Sequence, residues 1–84
     1  MATIAISEEK LKEIIAFICN CTVANITDTT SVSNLDGWDS LAHMNLVLAL
    51  EQAFDVTFTE DESVEILSYA LIKHTLSGHG VTFL

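Results

Sequence analysis

Asp39-Ser40-Leu41 opens the segment SLAHMNLVLALEQAF (residues 40–54), which contains neither Gly nor Pro and is rich in good helix formers. The preceding residues 20–37 are polar and turn-prone. Asp39 stands where an N-cap is needed, because its carboxylate can accept hydrogen bonds from the free amides of the first helical turn. Ser40 is then the first helical residue, at a helix end whose partial positive charge suits a phosphate ester. The segment therefore predicts a helix over residues 40–54 with an attachment site at Ser40.

The N-terminal part of the chain predicts one helix followed by a long loop. Ser7 can cap a helix that runs to about Asn20. Thr, Ser, Asn and Asp dominate the residues after it, as is typical of loops. Apolar residues of this helix recur at helical spacing, so one side of it should face the core. These residues are Leu11, Ile14, Ile15, Ile18 and Cys19.

The C-terminal part predicts two more helices. Thr59 can cap a short acidic helix, and a last helix is expected over residues 67–76, ended by Gly78 and Gly80. The whole pattern predicts one all-α domain over residues 1–84. Its fold is a four-helix bundle with a long loop between helices 1 and 2 and a short third helix.

The predicted helix over residues 40–54 is apolar on two sides when it is read at about 100° per residue. A chain of this length does not readily bury both sides, so one side should pack in the core and the other should form an exposed docking stripe. The alternative is that loop residues cover the second side. The core side contains His43, Leu46, Val47, Leu50 and Phe54. The docking stripe contains Leu41, Met44 and Leu48, next to Asn45, Glu51 and Gln52.

The charge of the chain is strongly acidic and unevenly distributed. Twelve acids against three lysines and no arginine give a net charge of −9. No Lys or Arg lies between Glu13 and Lys73. This distribution argues against nucleic-acid binding, which needs the opposite sign, and favours partners with basic patches. The alternative is that the acids only keep a small protein soluble.

Several other functions are not supported by the residues. The apolar runs, such as Leu46–Leu50, are too short to span a bilayer, and the N-terminus lacks the features of a signal peptide, so a cytoplasmic monomer is expected. Cys19 and Cys21 lie too close together for an unstrained disulfide and lack further ligands for a metal. His43 follows Ser40 by three residues, but no orienting acid is evident for nucleophilic catalysis. We expect no catalytic residue and no metal.

The motif around Ser40 resembles that of a known family. Asp39-Ser40-Leu41, within LDGWDSL (residues 35–41) and followed by LVLALE (residues 46–51) and Phe54, is similar to acyl carrier proteins. The resemblance implies that Ser40 carries a 4′-phosphopantetheine arm, whose thiol holds acyl groups as thioesters. It also implies a phosphopantetheinyl transferase as a partner, which Asp39 would help to hold its metal ion and cofactor.

The resemblance further implies how such a carrier meets its partners and its cargo. The second helix is the main recognition surface in this family, and the short third helix borders both the acyl group and the partner. Acyl-transferring, ligase or synthase enzymes with basic docking patches are the expected partners. The predicted partner-binding residues are Leu41, Met44, Leu48, Glu51, Glu60, Asp61 and Glu62. The predicted acyl pocket is lined by Leu46, Val47, Leu50, Phe54, Ile66 and Tyr69.

The sequence departs from the housekeeping carriers of fatty-acid synthesis. Trp38 replaces a small residue, and neutral residues stand where those carriers have acids along the second helix: Ala42, Asn45, Gln52 and Ala53. These departures suggest a specialised carrier in a fatty-acid, polyketide or other lipid pathway. One alternative is an aminoacyl or peptidyl carrier loaded by an adenylating ligase. Another, from a different class, is an unmodified acidic interaction module.

Overall fold

The computed structural model describes residues 4–83 and contains four α-helices and two short strands. The helices surround one core, and a 3₁₀ turn at Val23–Asn25 interrupts the long loop between the first two. This architecture confirms the predicted bundle with a long loop and a short third helix. In chain order the elements are β1 (Ile4–Ile6), α1 (Glu8–Cys19), α2 (Ser40–Phe54), α3 (Glu60–Glu65), α4 (Tyr69–Gly78) and β2 (Val81–Phe83).

Each of the four α-helices begins at a side-chain cap. The oxygen of Ser7 accepts from the amide of Lys10 at the start of α1. Asp39 and Thr59 cap α2 and α3 as predicted, and Thr59 is part of a capping box. Ser68 caps α4. These local contacts satisfy backbone amides that a helix start leaves unpaired, which explains why the helix starts lie close to capping residues.

The start of α4 differs from the prediction, because α4 begins at Tyr69 and not at Leu67. The carbonyl of Leu67 accepts from the amide of Val32 at 3.0 Å. Two residues on, the amide of Tyr69 donates to the carbonyl of Thr30 at 2.9 Å. The segment just before α4 therefore pairs with the long loop through an extended Ser68, and the helix starts only after this residue.

A parallel pair of strands is an addition to the predicted helices. Ile4 of β1 aligns with Val81 of β2, and Ile6 aligns with Phe83. Gly80 precedes β2 with a φ of 91°, a left-handed conformation that glycine adopts without steric cost. Val81 is buried, and Phe83 packs edge-on against Phe54 with 6.4 Å between ring centroids. The pair thus ties both ends of the described chain to the core.

The core is formed mainly by one side of α1, α2 and α4. Most of the predicted core residues of α1 and α2 are buried, and Ala42 joins them. The others, Ile14, Ile18, His43 and Val47, are only partly buried. Loop residues Ile26 and Trp38 close the core from the side of the long loop, and Phe58 does so before α3. No helix among residues 4–83 is long and apolar enough to cross a membrane. Fully buried side chains include Leu11, Ile15, Leu46, Leu50, Phe54, Ile66, Tyr69, Ile72 and Leu76.

Candidate functional site

Ser40 is the first residue of α2 and is exposed to solvent. Asp39 Oδ1 accepts from the amide of Ala42 at 2.9 Å, and the carbonyl of Asp39 accepts from the amide of His43 at 2.8 Å. These two bonds hold the first turn of α2 and therefore the position of Ser40. The hydroxyl is accessible at a helix N-terminus, where a phosphate ester is electrostatically favoured.

An open cleft of about 500 Å³ lies beside Ser40. Val32 and Leu67 form one wall of the cleft, because the long loop pairs with the segment before α4. Trp38, His43 and Met44 contribute from the residues on either side of Ser40. The surface of the cleft is mostly apolar. A linear group esterified to Ser40 therefore has a sheltered apolar surface within reach, and the residues present fit a phosphopantetheine arm.

His43 bridges three parts of the structure at this site. The indole N–H of Trp38 donates to His43 Nδ1 at 3.1 Å, and the planes of the two rings lie at 24° to each other with 6.2 Å between centroids. His43 Nε2 lies 2.7 Å from the carbonyl oxygen of Ser63 in α3. An indole nitrogen can only donate and a carbonyl can only accept, so these contacts assign the neutral Nε2–H tautomer. Sequence reasoning placed His43 on the core side of α2 but missed the bridge.

Residues outside the predicted set also surround the site, and the sequence held only one signal for them. A buried indole N–H needs an acceptor, and His43 is the polar residue on the core side of the next helix turn. Val32 and Leu67 carried no such signal, because their approach depends on pairing between distant segments. The structure thus adds Val32, Trp38, His43 and Leu67 to Ser40 and Asp39.

The predicted docking stripe is solvent-exposed. Leu41, Met44 and Leu48 expose 69%, 66% and 58% of their surface, so loop residues do not cover them. Val64 of α3 and Leu71 of α4 are exposed as well. A contiguous group of exposed apolar side chains often marks an interaction site. The docking role of the stripe remains a prediction.

The predicted partner-binding acids fall into two groups. Glu60 and Asp61 are exposed at the start of α3. Glu51, in contrast, accepts from the amide of Phe58 at 2.8 Å, and Glu62 accepts from the amide of Thr59 at 2.9 Å. Hydrogen bonds first from Thr59 and then from His79 lower the pKa of Glu62. Glu51 and Glu62 therefore have structural roles in addition to any role in docking.

The predicted acyl-pocket residues lie in the closed core. Five of the six side chains are fully buried, and Val47 is partly buried. None of the six lines the cleft beside Ser40. A pocket among them therefore requires side chains to separate, and the pocket remains a prediction. The five buried residues are Leu46, Leu50, Phe54, Ile66 and Tyr69.

The cysteines do not form a reactive site. Cys19 and Cys21 are both free thiols, and burial raises the pKa of Cys19 to about 11. Burial also raises the pKa of Cys21. A protonated thiol is a poor nucleophile and a poor metal ligand. Within residues 4–83 no group of His, Cys, Asp and Glu is arranged to hold a metal ion.

Comparison with known families agrees with the geometry of the site. Residues 9–69 match the family described as "Phosphopantetheine attachment site". The match covers well over half of the chain and includes all of α1 but its first residue, the whole of α2 and α3, and Ser40. Members of this family are carriers and not catalysts, they bear a 4′-phosphopantetheine group, and they serve partner enzymes. The chain therefore belongs to the phosphopantetheine attachment site family of carrier domains.

Proposed function

We propose that this protein is an acyl carrier whose 4′-phosphopantetheine arm is attached to Ser40. Its thiol would hold acyl intermediates as thioesters and move them between the enzymes of a pathway. The observation that carries the proposal is the exposed Ser40 at the start of α2, directly beside an apolar cleft. An attachment serine without such a cleft would leave an apolar cargo in water.

The chemistry of attachment makes modest demands on the chain itself. Ser40 Oγ forms a bond to a phosphorus atom of coenzyme A, the bond to the nucleotide part breaks, and the hydroxyl proton passes to a base. That base belongs to the transferase, since among residues 4–83 no acid is seen to orient His43 toward Ser40. Asp39 is proposed to assist the transferase with its metal ion and cofactor, while its Oδ1 caps α2.

The cargo is proposed to be acyl because the surfaces near Ser40 are apolar. The cleft provides the outer part of the shelter. An inner part is proposed among the core residues Leu46, Val47, Leu50, Phe54, Ile66 and Tyr69, which would have to separate to admit a chain. Burying a methylene group contributes about 0.8 kcal/mol, so even a short acyl chain gains from such shelter.

Partner enzymes are proposed to bind the surface around Ser40. The docking stripe provides exposed apolar contacts, and Glu60 and Asp61 provide charge for basic patches. An interface limited to these few residues is small, and small interfaces suit the brief encounters that a shuttle requires. Glu51 and Glu62 contribute to the negative field while they hold the loop and α3 in place.

A specialised pathway is proposed over the central fatty-acid synthase. The exposed neutral residues Asn45, Gln52 and Ala53 reduce the acidity of α2, which leaves the apolar stripe as its main docking feature. Ala42 is buried and does not contribute to this surface. Trp38 forms part of the cleft, where it changes the surface that the cargo meets. Both features would favour dedicated partners.

The experiment is intact-protein mass measurement after incubation with coenzyme A and a broad-specificity phosphopantetheinyl transferase. Addition of one phosphopantetheinyl group to the wild type and none to Ser40→Ala is the expected result. Loading of Ser40→Ala would show that the group is attached at a residue other than Ser40. If neither a validated broad-specificity transferase nor a dedicated one loads the wild type, the unmodified interaction module would be favoured.

A second step separates acyl from aminoacyl cargo. The loaded protein is offered acyl donors with acyltransferases, and amino acids with ATP and adenylating ligases, and the thioesters are read by mass. Acyl thioesters alone support the proposal. Efficient loading by amino acids alone would identify an aminoacyl or peptidyl carrier.

A further inference from the structure

The bridge between Trp38, His43 and Ser63 lies where the cleft ends and the core begins. Trp38 and His43 line the cleft. On α2, Leu46 and Val47 follow His43 by about one turn, and Leu46 is fully buried. His43 therefore lies between Ser40 and Leu46 along α2, and Trp38 is hydrogen-bonded to it.

The same bridge holds α3 against α2. None of the residues of α3 is buried, so the helix has no apolar anchor of its own. Its flanking residues Phe58 and Ile66 are buried, and side chains from other elements hold it between them. His43 donates to the carbonyl of Ser63, and His79 pairs with Glu62 at 3.0 Å. Breaking the His43 contact would remove the polar link that joins α3 to α2 beside the cleft.

The bonds of His43 leave little freedom for this ring. Both ring nitrogens are engaged, one by the indole of Trp38 and one by a backbone carbonyl. The carbonyl of Ser63 lies near the C-terminal end of α3, where helix carbonyls lack intrahelical partners, so this bond satisfies a group that would otherwise be unpaired. A buried indole N–H that loses its acceptor also costs free energy. The arrangement in which His43 is hydrogen-bonded to both Trp38 and Ser63 is therefore the favoured state.

We propose that Trp38 and His43 form a latch that selects the cargo by its chain length. The inference rests on the proposed function. With the latch closed, a short acyl group is sheltered by the cleft, and the remainder of a long chain stays outside because the rings bar its way to the core. The residues Leu46 and Leu50 become accessible to cargo only when the latch opens.

The test uses the full chain loaded by the transferase from butyryl-, octanoyl- and dodecanoyl-coenzyme A, with loading verified by intact mass. The melting temperature of each acyl form is measured for the wild type, Trp38→Phe and His43→Ala. Trp38→Phe keeps a smaller aromatic ring in place and removes the indole donor, so it remains informative if His43→Ala does not fold. His79→Ala is the matched control, because it breaks a different polar link of α3 and leaves the latch intact.

In the wild type the melting temperature should rise from butyryl to octanoyl and then stop rising. In Trp38→Phe and His43→Ala it should continue to rise by several degrees with dodecanoyl. Methyl resonances of Leu46 and Leu50 should shift with dodecanoyl in these variants and stay in place in the wild type. His79→Ala should behave as the wild type does.

Two results would overturn the latch. One is a steady rise through dodecanoyl in the wild type, accompanied by shifts of the Leu46 and Leu50 methyl groups. The other is a His79→Ala variant that reproduces the Trp38→Phe result, since α3 mobility alone would then explain it. Absence of loading at Ser40 would instead overturn the proposed function and the latch with it, and intact mass distinguishes that failure from the first two.

Discussion

Gly37 lies directly against the backbone carbonyl of Cys19, so closely that a Cβ atom at Gly37 would stand 1.8 Å from that oxygen. The contact joins the C-terminal end of α1 to the loop two residues before Asp39. Real Cβ atoms do not approach a backbone oxygen this closely, and backbone atoms cannot move aside as a flexible side chain can. This close approach therefore helps to set where α2 begins and where Ser40 lies.

Gly37→Ala should destabilise the protein strongly. The added methyl group forces α1 and the loop apart, and we expect the free energy of unfolding to fall by about 3 kcal/mol or more. Urea unfolding followed by circular dichroism measures the change. Gly78→Ala is the control, because a Cβ there meets no atom within 4 Å and alanine favours a helix. Equal stability of Gly37→Ala and the wild type would contradict the contact.

Asp39 should have separable structural and transferase-related roles. Asp39→Ala removes the cap of α2 and should lower the free energy of unfolding by about 1 kcal/mol. Asp39→Asn keeps a capping oxygen, so it should retain most of this stability. Its phosphopantetheine loading should nevertheless be slower than that of the wild type. Denaturation and the initial loading rate are measured on both variants. Loading by Asp39→Asn at the wild-type rate would remove the proposed role toward the transferase.

Stability should fall in acid partly through Glu8. Its hydrogen bond with Lys73 lowers the pKa of Glu8 from the ordinary value of 4.5. The nearby hydroxyl of Tyr69 lowers the pKa of Glu8 further. A lowered folded pKa means that the stabilisation is present above the unfolded pKa and is lost as the pH falls through the folded pKa.

Glu8→Gln tests this pH dependence. The variant should lose up to about 1 kcal/mol near neutral pH, because the pair with Lys73 is only partly buried. At about pH 3 the difference from the wild type should be smaller, since protonation progressively removes the charge of Glu8 as the pH falls. Urea unfolding at the two pH values provides the comparison. A constant difference between wild type and variant would argue against a titrating ion pair.

The docking stripe should affect partner turnover without affecting folding. Leu48→Ala shortens an exposed side chain, so its melting temperature should stay within about 2 °C of the wild type. Acyl transfer from the loaded carrier by a partner enzyme should fall severalfold, mainly through a higher KM for the carrier. Leu71→Ala is the control, since Leu71 is also exposed but lies on α4. A similar loss in both variants would mean that exposed leucines matter in general and that the stripe has no special role.

Local chemistry made much of the fold predictable. The cap at Asp39, the cap at Thr59 and the apolar periodicity of α1 each depend on residues a few positions apart. Such contacts are encoded in short stretches of sequence and persist in almost any tertiary setting. The same logic placed Ser40 at an exposed helix start and Leu41, Met44 and Leu48 on a surface stripe.

Pairing between distant segments decided what local chemistry could not. The delayed start of α4 follows from the contact of Leu67 with Val32. The strands β1 and β2 pair across almost the whole chain, and each is too short to show a convincing alternation on its own. The bond of Glu51 to the amide of Phe58 likewise depends on loop geometry that its helix position does not reveal, and the pairing of Glu62 with His79 joins distant parts of the chain.

The sequence by itself determined that the protein is a helical bundle with Ser40 at the exposed start of its second helix, because capping and helical periodicity act over a few residues. The tertiary structure alone decided which surfaces meet at Ser40. Val32 and Leu67 form a cleft wall, and His43 reaches Ser63, because the loop and α3 fold back onto α2 over long chain separations. Contacts of this kind depend on the packing of the whole core and leave no periodic signal in the chain.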